Sequence, residues 1–415
     1  MPHFFQKHIP TLPNNIKAYN VEDGVPANHV FSGNNPLEEV DLFLMAAPEN
    51  FQKVLDNVVE ETGRRIRCLI TDGFLTFAAQ IAEQMQIPWI PIWIPLPCTL
   101  SAHLYTDLIR ELINFNSNRI ENNYNVNDLN DQTLEIIPGL SVMRIADSPE
   151  EVLSGETFFS KTLSRIGQVF PKASVVVMNF YEELNPSLLN NDLKRKLPNL
   201  LFVGFLTISI PQLSLPQSDL DTTGCLSWLD KQKPMSVAYL SFGTVATPPL
   251  DELIQLAEAL ETSEIPFIWS LRDNLKNNLP NGFLGRIAMK GKVVSWAPQA
   301  EVLAHDSIGV FVTHCGCNSV YESIANAVPM ICRPFFGDHW MTGRMVEEVW
   351  GIGVRICGGA FTKSGLVKSL EIVLVHEQGK IMRQKAHVLK EVVVKAAGPN
   401  GIARRDFKNL LQVIS

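Results

Sequence analysis

The chain has 415 residues, enough for two or three domains with substantial cores. Apolar residues make up 46% and charged ones 19%, below the roughly 25% of average soluble chains, which suits parallel sheets covered on both faces. The formal net charge of −8 excludes the basic footprint of a nucleic-acid binder, and no stretch approaches the roughly 20 apolar residues of a membrane span.

The seven cysteines are odd in number and scattered, as expected of reduced thiols in a cytosolic protein. Cys315-Gly316-Cys317 suggests a metal only in isolation, because a zinc site needs a second ligand pair and His314 is too close in sequence to supply it. No metal is expected. The start, Met1-Pro2-His3-Phe4-Phe5, has neither the basic flank nor the apolar core of a signal peptide.

In chain order, Ile66 to Asp72 reads as a short buried strand, Phe77 to Gln86 as a helix and Pro88 to Trp93 as a second strand. Together these form a βαβ unit. Helical periodicity follows over 99–115, and strands are expected at 173–179 and 200–203. From Thr207 to Thr223 the sequence turns to Ser, Pro, Gln and Asp without periodicity, the best linker candidate. Asp219-Leu220-Asp221 inside it could hold a divalent ion, but the pair follows no strand and reads as a solvated linker.

Beyond the linker, strands are expected at 236–242, 265–271, 308–313 and 328–332, with helices near 250–261, 299–305, 318–327 and 338–350. Alternation at this period means a parallel sheet wound with helices, whose ligands lie beyond the carboxyl ends of the strands. A final amphipathic helix is expected from Arg404 to Ser415. The boundaries are therefore 1–206 for a first domain, 207–223 for the linker, 224–400 for a second domain and 401–415 for the last helix.

The chemistry-bearing candidates of the second half sit just after strands. Ser241-Phe242-Gly243-Thr244 ends one strand, and His314-Cys315-Gly316-Cys317-Asn318-Ser319 links another to a helix. Gly316 allows close backbone approach, and Asn318, Ser319 and the free N–H groups of the helix can bind phosphate oxygens. Ordinary capping by Asn318 with Glu322 explains the same residues equally well. No Gly-x-Gly-x-x-Gly or Walker loop is present, which weighs against dinucleotide and nucleoside-triphosphate folds.

The segment 296–339 decides between them. It runs Trp296-Ala297-Pro298-Gln299, His314-Cys315-Gly316-Cys317-Asn318-Ser319, Glu322-Ser323 and Pro334-Phe335-Phe336-Gly337-Asp338-His339, and it closely resembles the signature box of plant secondary-product UDP-glycosyltransferases. Ala47-Pro48-Glu49 and Phe361-Thr362-Lys363-Ser364-Gly365 resemble the branch acting on flavonoid and anthocyanidin 3-hydroxyls. The resemblance implies an α/β, GT-B-like fold of two facing Rossmann-like domains with a cleft between them. It also implies a metal-independent monomer whose partners are UDP-galactose or UDP-glucose and a flavonoid or anthocyanidin.

Carried over by position, the family implies that Trp296 stacks on uracil and that Gln299 and Glu322 bind the ribose. His314, Asn318, Ser319 and Thr244 would hold the diphosphate, Ala297 and Gly316 belong to the donor-binding set, and Asp338 and His339 would grip the sugar. Two positions depart from the pattern. Cys317 stands where tryptophan is usual, keeping a backbone contact but losing a packing surface. His339 stands where glucosyl transferases commonly have glutamine and galactosyl transferases often have histidine. An amide presents its donor and acceptor on one fork, whereas a neutral imidazole presents one on each edge. Galactose is therefore expected ahead of glucose.

Inverting transfer needs a base, which this family supplies as a histidine oriented by an aspartate. Asp72 matches the aspartate, though by pattern alone it serves equally as a helix cap. Met1 falls past the family's first βαβ segment, so the first strand and catalytic loop are expected to be missing. His3, His8 and His29 precede Asp72 without following an apolar strand and read as loop residues. His103 is a candidate acceptor contact, and Trp93-Ile94-Pro95 replaces a Trp-Thr pair frequent in the family. Low or absent transfer is expected despite an intact donor site, with UDP-sugar binding without catalysis as the alternative.

Overall fold

A computed structural model describes residues 15–31, 38–120, 131–155, 157–208 and 221–415. Asp219, His3 and His8 lie outside the described residues.

The first sheet has four parallel strands in the order β1-β2-β3-β4: Leu69–Asp72, Trp89–Trp93, Val176–Met178 and Leu200–Phe202. Each falls inside the span its apolar run predicts. Among the described residues β1 lies at one edge, and its residues alternate between buried Leu69 and Thr71 and exposed Ile70 and Asp72. Helix α1 (Glu38–Thr62) was not legible from periodicity, since Pro48 lies inside it and only Leu44, Ala47 and Leu55 are buried. Helix α2 (Ala78–Met85) follows the prediction and ends in a left-handed Gln86. The helix expected over 99–115 is two helices, α3 (Pro97–Leu104) and α4 (Thr106–Ile120). They part at Tyr105, whose hydroxyl donates to both oxygens of Asp192 at 3.1 and 3.0 Å.

The second sheet is also parallel, in the order β10-β9-β8-β5-β6-β7. Its strands are β5 Val237–Ser241, β6 Phe267–Ser270, β7 Gly291–Val294, β8 Ile308–Thr313, β9 Met330–Cys332 and β10 Gly353–Arg355. β5 and β8 are buried along their whole length, as strands covered on both faces must be. The strand order reverses between β8 and β5, which places the crevice of this doubly wound sheet at their carboxyl ends. Asp221, partly solvated at the end of the expected linker, also has a structural role: its carboxylate accepts the N–H groups of Leu226 and Ser227 at 3.0 and 3.1 Å and caps helix Cys225–Leu229. The helix expected over 338–350 is α-helical only from His339 to Arg344 and then widens into a π-turn at Met345–Val349.

One hydrophobic cluster runs through both halves, and a second fills the far side of the β5–β10 sheet. At the junction, Phe205 stacks on Tyr321 at 4.3 Å and the Tyr321 hydroxyl donates to Ile94 O at 2.9 Å. Trp350 Nε1 donates to Leu184 O at 2.9 Å. Thus the Trp93-Ile94-Pro95 segment serves as part of the seam between halves. The terminal helix Ile402–Ile414 crosses back to the first sheet, where Asp406 accepts the Phe202 N–H at 3.0 Å and Leu410 packs with Ile90, Val175 and Val177.

Candidate functional site

Ser241 and Thr313 pair in register at the ends of β5 and β8, so the loops that follow them are neighbours. The ring of His314 lies between two glycines. A Cβ on Gly243 would come within 2.9 Å of it and one on Gly316 within 2.3 Å, so neither position accepts a side chain without moving the ring. Gly243 also has φ +70°, a conformation that favours glycine. Helix Cys317–Asn326 starts after Gly316, aiming its first N–H groups into the same crevice.

His314 and His339 meet edge to face, with ring centroids 4.9 Å apart. Burial lowers His314 to about 4, and burial with the neighbouring His314 lowers His339 to about 3. Both rings are therefore neutral near pH 7. Among the described residues His339 Nδ1 is buried without a hydrogen-bond partner, leaving ring capacity for an incoming hydroxyl.

A second cluster joins Gln299, Ser319 and Glu322. The Tyr239 hydroxyl donates to Gln299 Oε1 at 3.2 Å, which turns the amide nitrogen toward Ser319 Oγ at 3.1 Å and Glu322 Oε2 at 2.5 Å. Burial raises the Glu322 carboxyl, and the Gln299 amide partly offsets that. Trp296 stands just beyond β7 with 54% of its surface exposed, whereas the adjoining Ala297 is buried. Thr244 is exposed on the loop after β5. Asn318 Oδ1 accepts the Thr207 hydroxyl from the other half at 3.2 Å.

Cys317 feels the charge of carboxylates from both halves, Asp338 on its own and Asp72 on the first. Burial, then the charge of Asp338 and more weakly that of Asp72, pushes the Cys317 thiol up to about 12. The Asp72 carboxylate accepts the Phe74 N–H at 2.8 Å, closing the turn into α2, and no described histidine bonds to it. His29 instead contacts Glu38 at 3.0 Å. His103 is only 2% exposed, with Nδ1 donating to Thr99 O at 2.8 Å and Nε2 facing Glu151 at 3.3 Å. Its ring is packed against Glu151 and not open on the face of the helix. Sequence reasoning also missed Tyr239 and Arg272; the latter donates to Thr244 O, Ala246 O and Thr247 Oγ1 and so fixes the loop after β5. Its only signal was a position just past a strand end.

Burial pushes the Asp338 carboxyl up to about 7, helped by Glu151, although the residue as a whole is half-buried. A carboxyl raised in the folded state contributes stability that is full below its unfolded value near 4 and lost as pH rises through about 7. The two lowered histidines act with opposite sign, losing stability as pH falls from 6.5 toward their folded values. Asp338→Asn is therefore expected to reduce the alkaline-going loss and leave the acid-going one unchanged. Urea midpoints for variant and parent between pH 4 and 8 check this, and parallel profiles would refute it.

Among the described residues no three His, Cys, Asp or Glu side chains converge as metal ligands would, and no helix is long and apolar enough to cross a membrane.

The family described as UDP-glucoronosyl and UDP-glucosyl transferase matches residues 52–389. An anthocyanidin 3-O-glucosyltransferase from Vitis vinifera is 47% identical over 99% of this chain and 88% of its own length. The chain belongs to the UDP-glycosyltransferase family. An anthocyanidin 3-O-galactosyltransferase from Actinidia chinensis var. chinensis is 48% identical, over 97% of this glycosyltransferase and 86% of the relative. The crystal structure of a UDP-glucose: anthocyanidin 3-O-glucosyltransferase in complex with UDP superposes with a TM-score of 0.89 at 45% identity, covering 97% of this chain and 87% of that one. The two parallel sheets are thus the paired Rossmann-like domains of a GT-B glycosyltransferase.

Proposed function

We propose that this glycosyltransferase moves a hexose, galactose ahead of glucose, from its UDP-sugar to the 3-hydroxyl of a flavonoid or anthocyanidin with inversion. The observation that carries the reading is the Gln299–Ser319–Glu322 cluster beside the exposed Trp296. Trp296 with Ala297 offers a face and edge for uracil, and the cluster offers paired donors and acceptors for the ribose. Thr244, His314, Ser319, Asn318 and the backbone at Gly316 and Cys317 surround the place for the diphosphate, where the helix N-terminus stabilises leaving charge without a metal. Asp338 and His339 take the sugar, and Asp72 faces the acceptor side. All seven cysteines are free thiols, in keeping with a cytosolic setting, and the reading takes the chain as a monomer.

Relatives are named for glucosyl as well as galactosyl transfer, so the choice rests on the unpartnered Nδ1 of neutral His339. His339→Gln is expected to shift the ratio of galactosyl to glucosyl transfer toward glucose by about fivefold, the worth of one hydrogen bond. Competition of UDP-galactose against UDP-glucose with a flavonol acceptor measures it, and an unchanged ratio would remove His339 from sugar selection. A second reading, UDP-sugar binding without transfer, is favoured by Asp72 serving as the cap of its own turn. Calorimetry with UDP alongside the same assay separates the two: binding without turnover supports the second.

A further inference from the structure

We propose that Asp147 and Glu150, on the first half, are positioning residues for the donor sugar, holding the short helix His339–Arg344 from across the cleft. The inference rests on the reading that Asp338 and His339 face that sugar. A helix of this length has no independent stability, so its direction is set by what grips its ends.

Both ends are gripped from the same short segment. Just before the helix, Glu150 Oε2 accepts the Gly337 N–H at 2.8 Å. At its last residue, Arg344 donates from Nε to Asp147 Oδ2 at 2.8 Å and from Nη2 to Oδ1 at 3.2 Å. Asp147 and Arg344 are each 4% exposed, so this is a forked, buried ion pair with little freedom to slide. Asp147 also accepts the Arg144 N–H at 2.9 Å and lies 3.4 Å from Arg355 Nη1, while Glu347 holds Arg355 in turn.

The gripping segment is itself braced on its own half. Arg110 donates to Glu151 O at 2.8 Å and Val152 O at 3.0 Å, and the Glu151 carboxylate lies against buried His103. Braced backbone on one half thus holds the entry and the Arg344 turn of the helical element that carries His339 on the other. Loosening either grip would move the sugar groups while leaving Trp296, Gln299 and Glu322 in place, because those stand on different elements.

The test is calorimetric titration of the full chain with UDP and, separately, with UDP-galactose. Asp147→Asn keeps the side-chain shape but weakens the fork; Glu150→Ala removes an exposed grip at little risk to folding. Expected is a loss of UDP-galactose affinity of about tenfold for Asp147→Asn and about threefold for Glu150→Ala, with UDP affinity within about twofold of the parent. Equal weakening of both ligands, or no change in either for folded Glu150→Ala, would overturn the proposal. Failure of the parent chain to bind UDP would overturn the underlying donor-site reading, and this inference with it.

Discussion

Glu252→Ala is expected to lower the unfolding free energy by about 3–5 kcal/mol, the loss typical of breaking one side of a buried ion pair. Glu252 is 4% exposed in the first turn of helix Leu250–Thr262, and Arg333 reaches it from the end of β9 with Nε at 3.0 Å and a second contact from Nη2. Its Oε2 also accepts the Phe361 N–H at 2.8 Å. Alanine would leave a buried guanidinium without its counter-charge and a buried N–H without its acceptor. Glu252→Gln keeps the acceptor for Phe361 and is expected to cost less. A urea midpoint that falls for alanine and less for glutamine checks this, and an unmoved midpoint for Glu252→Ala would refute it. The consequence reaches the donor site because Arg333 and Pro334 lead directly into the segment carrying Asp338 and His339.

Trp296→Ala acts on binding rather than on folding. The ring is 54% exposed, so its removal uncovers little core. Base–aromatic stacking is worth about 1–3 kcal/mol per base, so UDP affinity is expected to fall between about fivefold and a hundredfold, with Trp296→Phe restoring part of it. Isothermal titration with UDP measures both variants. Unchanged UDP affinity for Trp296→Ala would rule out its stacking on uracil.

The second half was more legible from sequence than the first, and for a local reason. β5, β6 and β8 are continuous apolar runs between turn signals, and all the residues proposed for the donor except Thr244 fall within the single segment 296–339, after strand ends or on the helices that follow them. The helix Glu38–Thr62 gave no such signal, because Pro48 interrupts a face with only three buried residues. Helix Glu377–Ala397 is likewise weakly marked, its buried residues being spread thinly along its length. The break at Tyr105 and the burial of His103 depend on partners at Asp192 and Glu151, which no local window contains. The same holds for Asp147 and Glu150, whose bonds to Arg344 and Gly337 span nearly half the chain. Periodicity reports which face of an element is covered but not by what. Contacts across the cleft are therefore the part that patterning leaves blank.

The terminal helix Ile402–Ile414 gives the molecule a second covalent bridge. Because Asp406 and Leu410 fasten it to the first sheet, the chain passes between the halves twice, once after β4 and again on leaving helix Glu377–Ala397. A displacement of one half against the other would have to be absorbed at both crossings at once, a demand that a single linker would not make.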